Sequence, residues 1–334
     1  MTEASDDVLG IGNAIVDILA RADDDFLVEQ KLAKGSMRLV DLTESARLYA
    51  AMGPTIEASG GSAGNTVAGI ASLGGRCSYV GKIADDQLGA TYRHDMRAIG
   101  ARFDVPALEA GILPTARTMI LITPDGERTM NTYLGACHRL GPDDIDPALV
   151  ADTKITYFEG FLWDAPSARD AFYKAAAIAH EAGRKVSLTL SDAFCVDRFR
   201  ADFGRLLRDG TIDILFANEV ELKSFYETSS FAAAIDQLRS ECRIAAVTVG
   251  AEGSFVVTPD DVAHVPATPV KQVIDTTGAG DLYASGFLFG LARGFELTKA
   301  AALGSLVAAE VISHIGPRPA VSLADLARQN GYPL

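Results

Sequence analysis

Seven consecutive residues, Asp275-Thr276-Thr277-Gly278-Ala279-Gly280-Asp281, stand directly before an apolar run, 282–292, of helical length. Glycines there let the backbone turn sharply and leave the first helical N–H groups without partners. Those donors, together with the positive end of the helix dipole, make an anion site. An acid in the first turn is stabilised as a carboxylate, and Asp281 would lie beside whatever phosphate the amides hold. Phosphoryl transfer to an alcohol needs this pair of features. The donors neutralise the moving group, and the carboxylate takes the proton of the attacking hydroxyl. An ordinary glycine-rich turn with a helix-start acid is the plain alternative, but all seven positions fit the chemical reading.

Short β-branched runs alternating with helical stretches must position this segment. Strands are expected at 8–12, 76–80, 155–161, 185–190, 212–217 and 244–249, and helices at 62–73, 87–99, 167–182 and 231–241. Such alternation predicts a mostly parallel sheet covered by helices on both faces, an α/β fold. Two stretches break the rhythm. Residues 21–55 are polar, with no clean helix–strand pair, and 115–133 reads as a hairpin turning at Pro124-Asp125-Gly126. A hairpin does not fit within a parallel sheet, so both are expected in a small β-rich lid that closes over bound substrate. The Asp23-Asp24-Asp25 run reads as a solvated turn.

Composition narrows the partners. The chain of 334 residues carries 30 Lys+Arg against 44 Asp+Glu, a formal charge of -14. That surface repels phosphate backbones and anionic membranes, and no basic stripe reverses it locally, so neither nucleic acid nor a membrane is expected as a partner. Residues 1–7 lack the basic region and apolar core of a signal peptide, and no apolar run is long enough to span a bilayer. Cys77, Cys137, Cys195 and Cys242 are far apart and form no metal-type pair, as expected for reduced thiols in a cytoplasmic protein. Gly10-Ile11-Gly12-Asn13-Ala14-Ile15 begins like a dinucleotide fingerprint but lacks its third glycine. Gly81-Lys82 is followed by Ile83, unlike a P-loop, and Asp202-Phe203-Gly204 has no catalytic loop before it.

The 275–281 segment, and the chain along nearly its whole length, resembles the ribokinase (PfkB) family of carbohydrate and nucleoside kinases. A second signature resembles Gly60-Gly61-Ser62-Ala63-Gly64-Asn65, running on through Leu73-Gly74-Gly75 to Gly81-Lys82-Ile83. The resemblance implies one ribokinase-like catalytic domain over 1–334, Rossmann-like, with a lid drawn from about 16–58 and 112–135. It implies Mg²⁺-ATP as donor, Asp281 as base, and an anion hole from the N–H groups of Gly278, Ala279 and Gly280. Asn13, Asp17, Gly61, Ser62 and Asn65 take the substrate hydroxyls; a carboxylate accepting two hydroxyl hydrogen bonds suits a vicinal diol.

By the same resemblance, Asn218 and Glu221 organise phosphate and Mg²⁺, the carboxylate acting through water, which suits an ion that keeps its hydration shell. Thr248, Gly250 and Gly253 form a nucleotide loop, and K⁺ near Asp275 is an option some relatives take. Leu134, Phe161 and Phe194 match places where adenosine kinases line a purine pocket, so adenosine, converted to AMP, is the expected acceptor. A ribose- or fructose-type sugar kinase is the second reading and a non-catalytic nucleoside-binding protein the third. Monomer and homodimer both fit the family.

Overall fold

The computed structural model describes residues 4–334, and Met1–Glu3, part of the acidic N-terminal stretch, lie outside the described residues. The chain opens with β1 (Asp6–Ile11) and β2 (Ile15–Arg21), followed by α1 (Asp24–Glu29), β3 (Met37–Leu39), α2 (Leu42–Ala51) and β4 (Ile56–Ser59). Next come α3 (Ser62–Ser72), β5 (Cys77–Val80) and α4 (Gln87–Ala98), then the hairpin β6 (Ala116–Ile122) and β7 (Arg128–Tyr133). Regular alternation follows: α5 (Pro147–Ala151), β8 (Thr153–Glu159), α6 (Pro166–Glu181), β9 (Lys185–Thr189), α7 (Ala193–Arg208) and β10 (Ile214–Asn218). After α8 (Glu219–Phe225) and α9 (Phe231–Glu241) come β11 (Ile244–Thr248), β12 (Ser254–Val257) and β13 (Val262–Val265). Three helices close the chain: α10 (Ala279–Ala292), α11 (Leu297–Val311) and α12 (Leu323–Gln329).

The main sheet has eight strands in the order β13-β12-β11-β10-β9-β8-β1-β5. From β5 to β11 all pairs are parallel; β12 and β13 join antiparallel at one edge. Strands buried on both faces need continuous apolar runs, and β1 supplies one, with Val8, Leu9 and Ile11 fully buried. The α/β reading of the sequence therefore holds. A second, five-stranded sheet has the order β3-β7-β6-β2-β4 and contains the hairpin. Gly126 turns it at φ 84°, and Ile122 pairs with Arg128.

Residues 21–55, in which no clean helix–strand pair was expected, hold two short helices around β3. Asp23 caps α1 by accepting from Phe26 N (2.8 Å), and Asp41 caps α2 by accepting from Glu44 N (2.7 Å). The acidic run is thus a cap and first helical turn rather than a free turn. These helices are short, so their apolar period is too brief to see in the sequence, and they fold by packing Leu27 and Leu48 beneath the small sheet. Asp202-Phe203-Gly204 lies inside α7, where Phe203 packs against Trp163 with ring centroids 5.2 Å apart.

Helix α10 is apolar all round and is buried accordingly. Phe287, Leu288 and Phe289 are at most 1% exposed, each such burial stabilising by about 1.5–3 kcal/mol. Small residues let neighbouring helices approach it: a Cβ on Gly69 of α3 would fall 2.3 Å from Ser285 Oγ. This close contact brings the N-terminus of α3 against that of α10.

Candidate active site

The two N-termini meet at Asp281. Ser62 Oγ donates to its Oδ1 at 2.7 Å, and Asn65 Nδ2 donates to Oδ2 at 2.9 Å. Burial raises the Asp281 carboxyl above the usual range, and the two hydrogen bonds offset part of that. Gly278, immediately before α10, is left-handed at φ 75°, and any Cβ there would meet Pro317 O at 2.7 Å. Among the described residues the N–H groups of Gly278, Gly280 and Asp281 have no partner, whereas Ala279 N donates to Thr276 O at 3.2 Å. The expectation of three open amides at 278–280 is corrected by that turn: the Ala279 amide is taken, and that of Asp281 stands open beside those of Gly278 and Gly280.

Asp281 lines one of two cavities that meet at the glycine turn. One, of about 420 Å³, lies between the small sheet and the main sheet and takes in Asn13, Asp17, Gly61, Ser62 and Asn65. Leu134 and Phe161 line it together with Met37, Leu39, Ile120 and Met130, making one end apolar. The other, of about 550 Å³, holds Thr248, Gly250 and Gly253 and shares Thr276, Ala279 and Gly280 with the first. Phe194 lines neither and is corrected: it is 47% exposed near the start of α7, with the Arg198 guanidinium 4.0 Å from its ring centroid.

The polar end of the first cavity carries uncommitted groups. Asn13 Nδ2 and Asn65 Oδ1 are buried without partners in the protein, a state that costs free energy until a ligand fills it. Asp17 reaches in from β2 over Gly60, and burial pushes its carboxyl up to about 7, with nearby Asp281 adding and Arg318 and Arg128 opposing. Gly61, at φ 81°, passes so close that a Cβ would fall 2.3 Å from Asn13 O.

Glu159, at the end of β8, lines the first cavity beside Phe161, although the sequence reading gave it no role of its own. It is 1% exposed and holds two segments together: Asn13 N donates to Oε1 (2.9 Å) and Ala63 N to Oε2 (2.8 Å). Burial raises this carboxyl to about 7, against those two amide bonds. No short motif marks it; only its place at the end of a parallel strand, where ligands gather in such sheets, hints at a role.

Asn218 and Glu221 form a reciprocal cap at the start of α8, with Glu221 N donating to Asn218 Oδ1 (2.8 Å) and Asn218 N to Glu221 Oε2 (3.0 Å). Both still line the first cavity. Burial lifts Glu221 to about 7, and Asp192 and Asp281 add to the rise, so negative charge here lacks a counterion. That surplus fits a bound divalent cation. Among the described residues no three His, Cys, Asp or Glu side chains group closely enough to ligate one directly.

Asp275 differs. Burial opposes its charge, yet donors from Thr277 and Gly316 prevail and hold it below the usual carboxylate range. Its Oδ1 accepts from Thr277 N (2.9 Å), its Oδ2 accepts from Gly316 N (3.0 Å), and Arg128 Nη1 lies 3.4 Å away. Arg128 also donates to Thr276 Oγ1 (3.2 Å), so the hairpin of the small sheet is joined to the glycine turn.

A mostly parallel α/β sheet with a second sheet over its ligand end, and a glycine turn feeding a helix-start acid, is the architecture of a small-molecule kinase. The sequence matches the pfkB family carbohydrate kinase model over residues 40–323, and the chain belongs to that family. It is therefore a phosphotransferase with an alcohol as acceptor, and kinases of this family use ATP. The structure of adenosine kinase from Sinorhizobium meliloti superposes with a TM-score of 0.95 at 55% identity, covering 98% of this chain and all (100%) of that one. A probable sugar kinase from Rhizobium etli superposes equally well, TM-score 0.95 at 50% identity, covering 98% of this chain and 99% of that one. Adenosine kinase from Saccharomyces cerevisiae is 26% identical over 330 residues, covering 92% of this chain and 95% of that protein. Among the described residues no helix is long and apolar enough to cross a membrane.

Proposed function

We propose that this kinase phosphorylates the hydroxymethyl group of a ribonucleoside, with adenosine as acceptor, and that Asp281 is the base. One observation carries the reading: the Asp281 carboxylate is held by Ser62 and Asn65 where the hydroxyl-binding end of one cavity meets open backbone amides that lead to the other. In this reading Asp17 accepts hydrogen bonds from the ribose diol, while Asn13 Nδ2 and Asn65 Oδ1 find their missing partners on the sugar. Asp281 takes the proton of the attacking hydroxyl, and the amides of Gly278 and Gly280 receive the charge of the transferring group. Glu221 would hold Mg²⁺ through water; when bound, that ion neutralises phosphate charge.

Met37, Leu39, Met130 and Phe161 favour a nucleoside over a free sugar. A free sugar would leave this apolar end of the cavity against water, whereas a flat base covers it. The 55% identity to an adenosine kinase supports adenine as that base. Initial rates with Mg²⁺-ATP and adenosine, ribose or fructose test this. Adenosine should lead in kcat/KM by about 100-fold or more, the equivalent of ~3 kcal/mol of apolar contact. Turnover with ribose alone would remove the nucleoside assignment, and no turnover with any alcohol would leave a binding protein.

Glu159 has a positioning part in this scheme, because its two oxygens align the Asn13 and Ser62–Asn65 segments against each other. In Glu159→Gln the amide accepts one N–H but turns its own NH₂ toward the second. The acceptor KM is expected to rise about tenfold, with kcat changed much less, a fraction of the 1.5–3 kcal/mol of one charged hydrogen bond. A variant that remains folded by circular dichroism and keeps the wild-type KM would show that this alignment is not needed.

A further inference from the structure

The wall that the small sheet turns toward the first cavity is built in two rows. Strand register sets Met37 beside Met130 and Met130 beside Ile120, an apolar row. The next row sets Leu39 beside Thr132, Thr132 beside Thr118 and Thr118 beside Asp17, and all four line the cavity. Register partners point to the same face of a sheet, and neighbouring strands stand ~4.8 Å apart. Asp17 is therefore the end of a polar row that runs on through two threonines.

The apolar row and Asp17 already have parts in the nucleoside reading, and the threonines have none. Thr118 and Thr132 are 5% and 6% exposed, and their hydroxyls bond each other at 3.0 Å. Two hydroxyls carry two protons, and that bond uses one of them. Among the described residues neither oxygen has another partner, so the second proton is buried without an acceptor. Valine would fill the same strand positions without that cost. A ligand atom that accepts the proton recovers it.

The reach of such an atom follows from the row. With a ribose diol on Asp17, Thr118 stands one strand spacing further on, ~4.8 Å away. In a purine ribonucleoside the ring nitrogens beside the glycosidic bond, N3 and N7, lie only a few bonds from the 2′-hydroxyl. Each has an in-plane lone pair and no proton. We infer that Thr118 donates its hydroxyl proton to one of these two ring nitrogens, while Thr132 donates to Thr118 Oγ1 and orients it. A hydroxyl that accepts one hydrogen bond is polarised to donate the next. Thr118 thus recognises the base where Asp17 recognises the sugar. The inference rests on the nucleoside reading of this cavity and adds to it a residue that selects the base.

The test is a set of calorimetric Kd values for adenosine, 3-deazaadenosine and 7-deazaadenosine, in which C–H replaces N3 or N7. They are measured with the wild-type protein, Thr118→Val and Thr118→Ser. The wild-type protein should bind one of the two analogues about 3- to 10-fold more weakly than adenosine, the worth of one hydrogen bond. Thr118→Val should lose a similar factor for adenosine and no longer separate it from that analogue. Thr118→Ser keeps the hydroxyl and should retain the wild-type pattern. Equal Kd values for all three nucleosides in the wild-type protein overturn the inference without recourse to a variant. A Thr118→Val protein weakened by one common factor for all three overturns it as well, because the hydroxyl then serves the wall or the diol. In both cases the nucleoside reading stands. Adenosine that fails to bind while ribose or fructose is phosphorylated would remove that reading, and the role of Thr118 with it.

Discussion

Asp281→Asn should lower kcat by about 10³-fold or more, while the acceptor KM moves by less than about threefold. The asparagine is nearly isosteric, so it keeps the place between Ser62 Oγ and Asn65 Nδ2 that holds the start of α10 against α3. What it loses is the capacity to accept a proton. Because burial holds this carboxyl above the usual range, the wild-type base is stronger than an exposed aspartate and remains active only where it is ionised. Wild-type kcat should therefore fall as the pH is lowered through the folded pKa of Asp281 and level off above it, whereas the residual rate of the variant should lose that limb. Steady-state kinetics across pH with saturating acceptor and donor decides the matter. A variant turning over at near wild-type rate would remove Asp281 from the chemistry.

Asp17→Ala should act almost wholly on acceptor binding. Two hydrogen bonds from a diol to a carboxylate are worth about 1.5–3 kcal/mol each, so KM for the acceptor should rise by about 10²–10⁴-fold, with kcat reduced far less. The sign of the pH effect follows from the free protein. With Asp17 pushed up to about 7 by burial, a large share of the empty sites carries a neutral carboxyl at neutral pH. Hydroxyl donors favour the ionised form and lower the pKa of the complex. Acceptor KM should then fall as pH rises toward 7 and flatten above it. Asp17→Asn keeps the shape and should lose that slope, which separates Asp17 from Glu159 and Glu221, also raised to about 7. A KM profile with the same slope in Asp17→Asn would assign the titration to one of those two.

Local physics made part of this molecule legible before any fold was known. The parallel sheet could be read because strands buried on both faces favour continuous apolar runs, and β1, β10 and β11 carry short runs of that kind. The glycine turn and Asp281 could be read because a helix start needs its partners within a few residues. Where spacing was short and the apolar period brief, as in α1 and α2, the same approach failed: these helices depend on a sheet that the sequence does not display.

The catalytic arrangement itself belongs to the tertiary structure. Ser62 and Asn65 meet Asp281 across 219 and 216 residues of chain, because two helices of small residues pack closely enough to join their N-termini. Glu159 aligns two loops from the end of a third segment, and no local pattern announces it. Phe194 could be an aromatic wall on sequence grounds, but the direction in which α7 leaves the sheet turns it toward Arg198 and solvent. The amide of Ala279 is spent on Thr276 because of how the turn closes, a matter of backbone angles rather than residue type. Residue types set which groups were available for chemistry; packing of distant segments decided which of them face one another, since distance in space between side chains is fixed by helix and sheet contacts and not by separation along the chain.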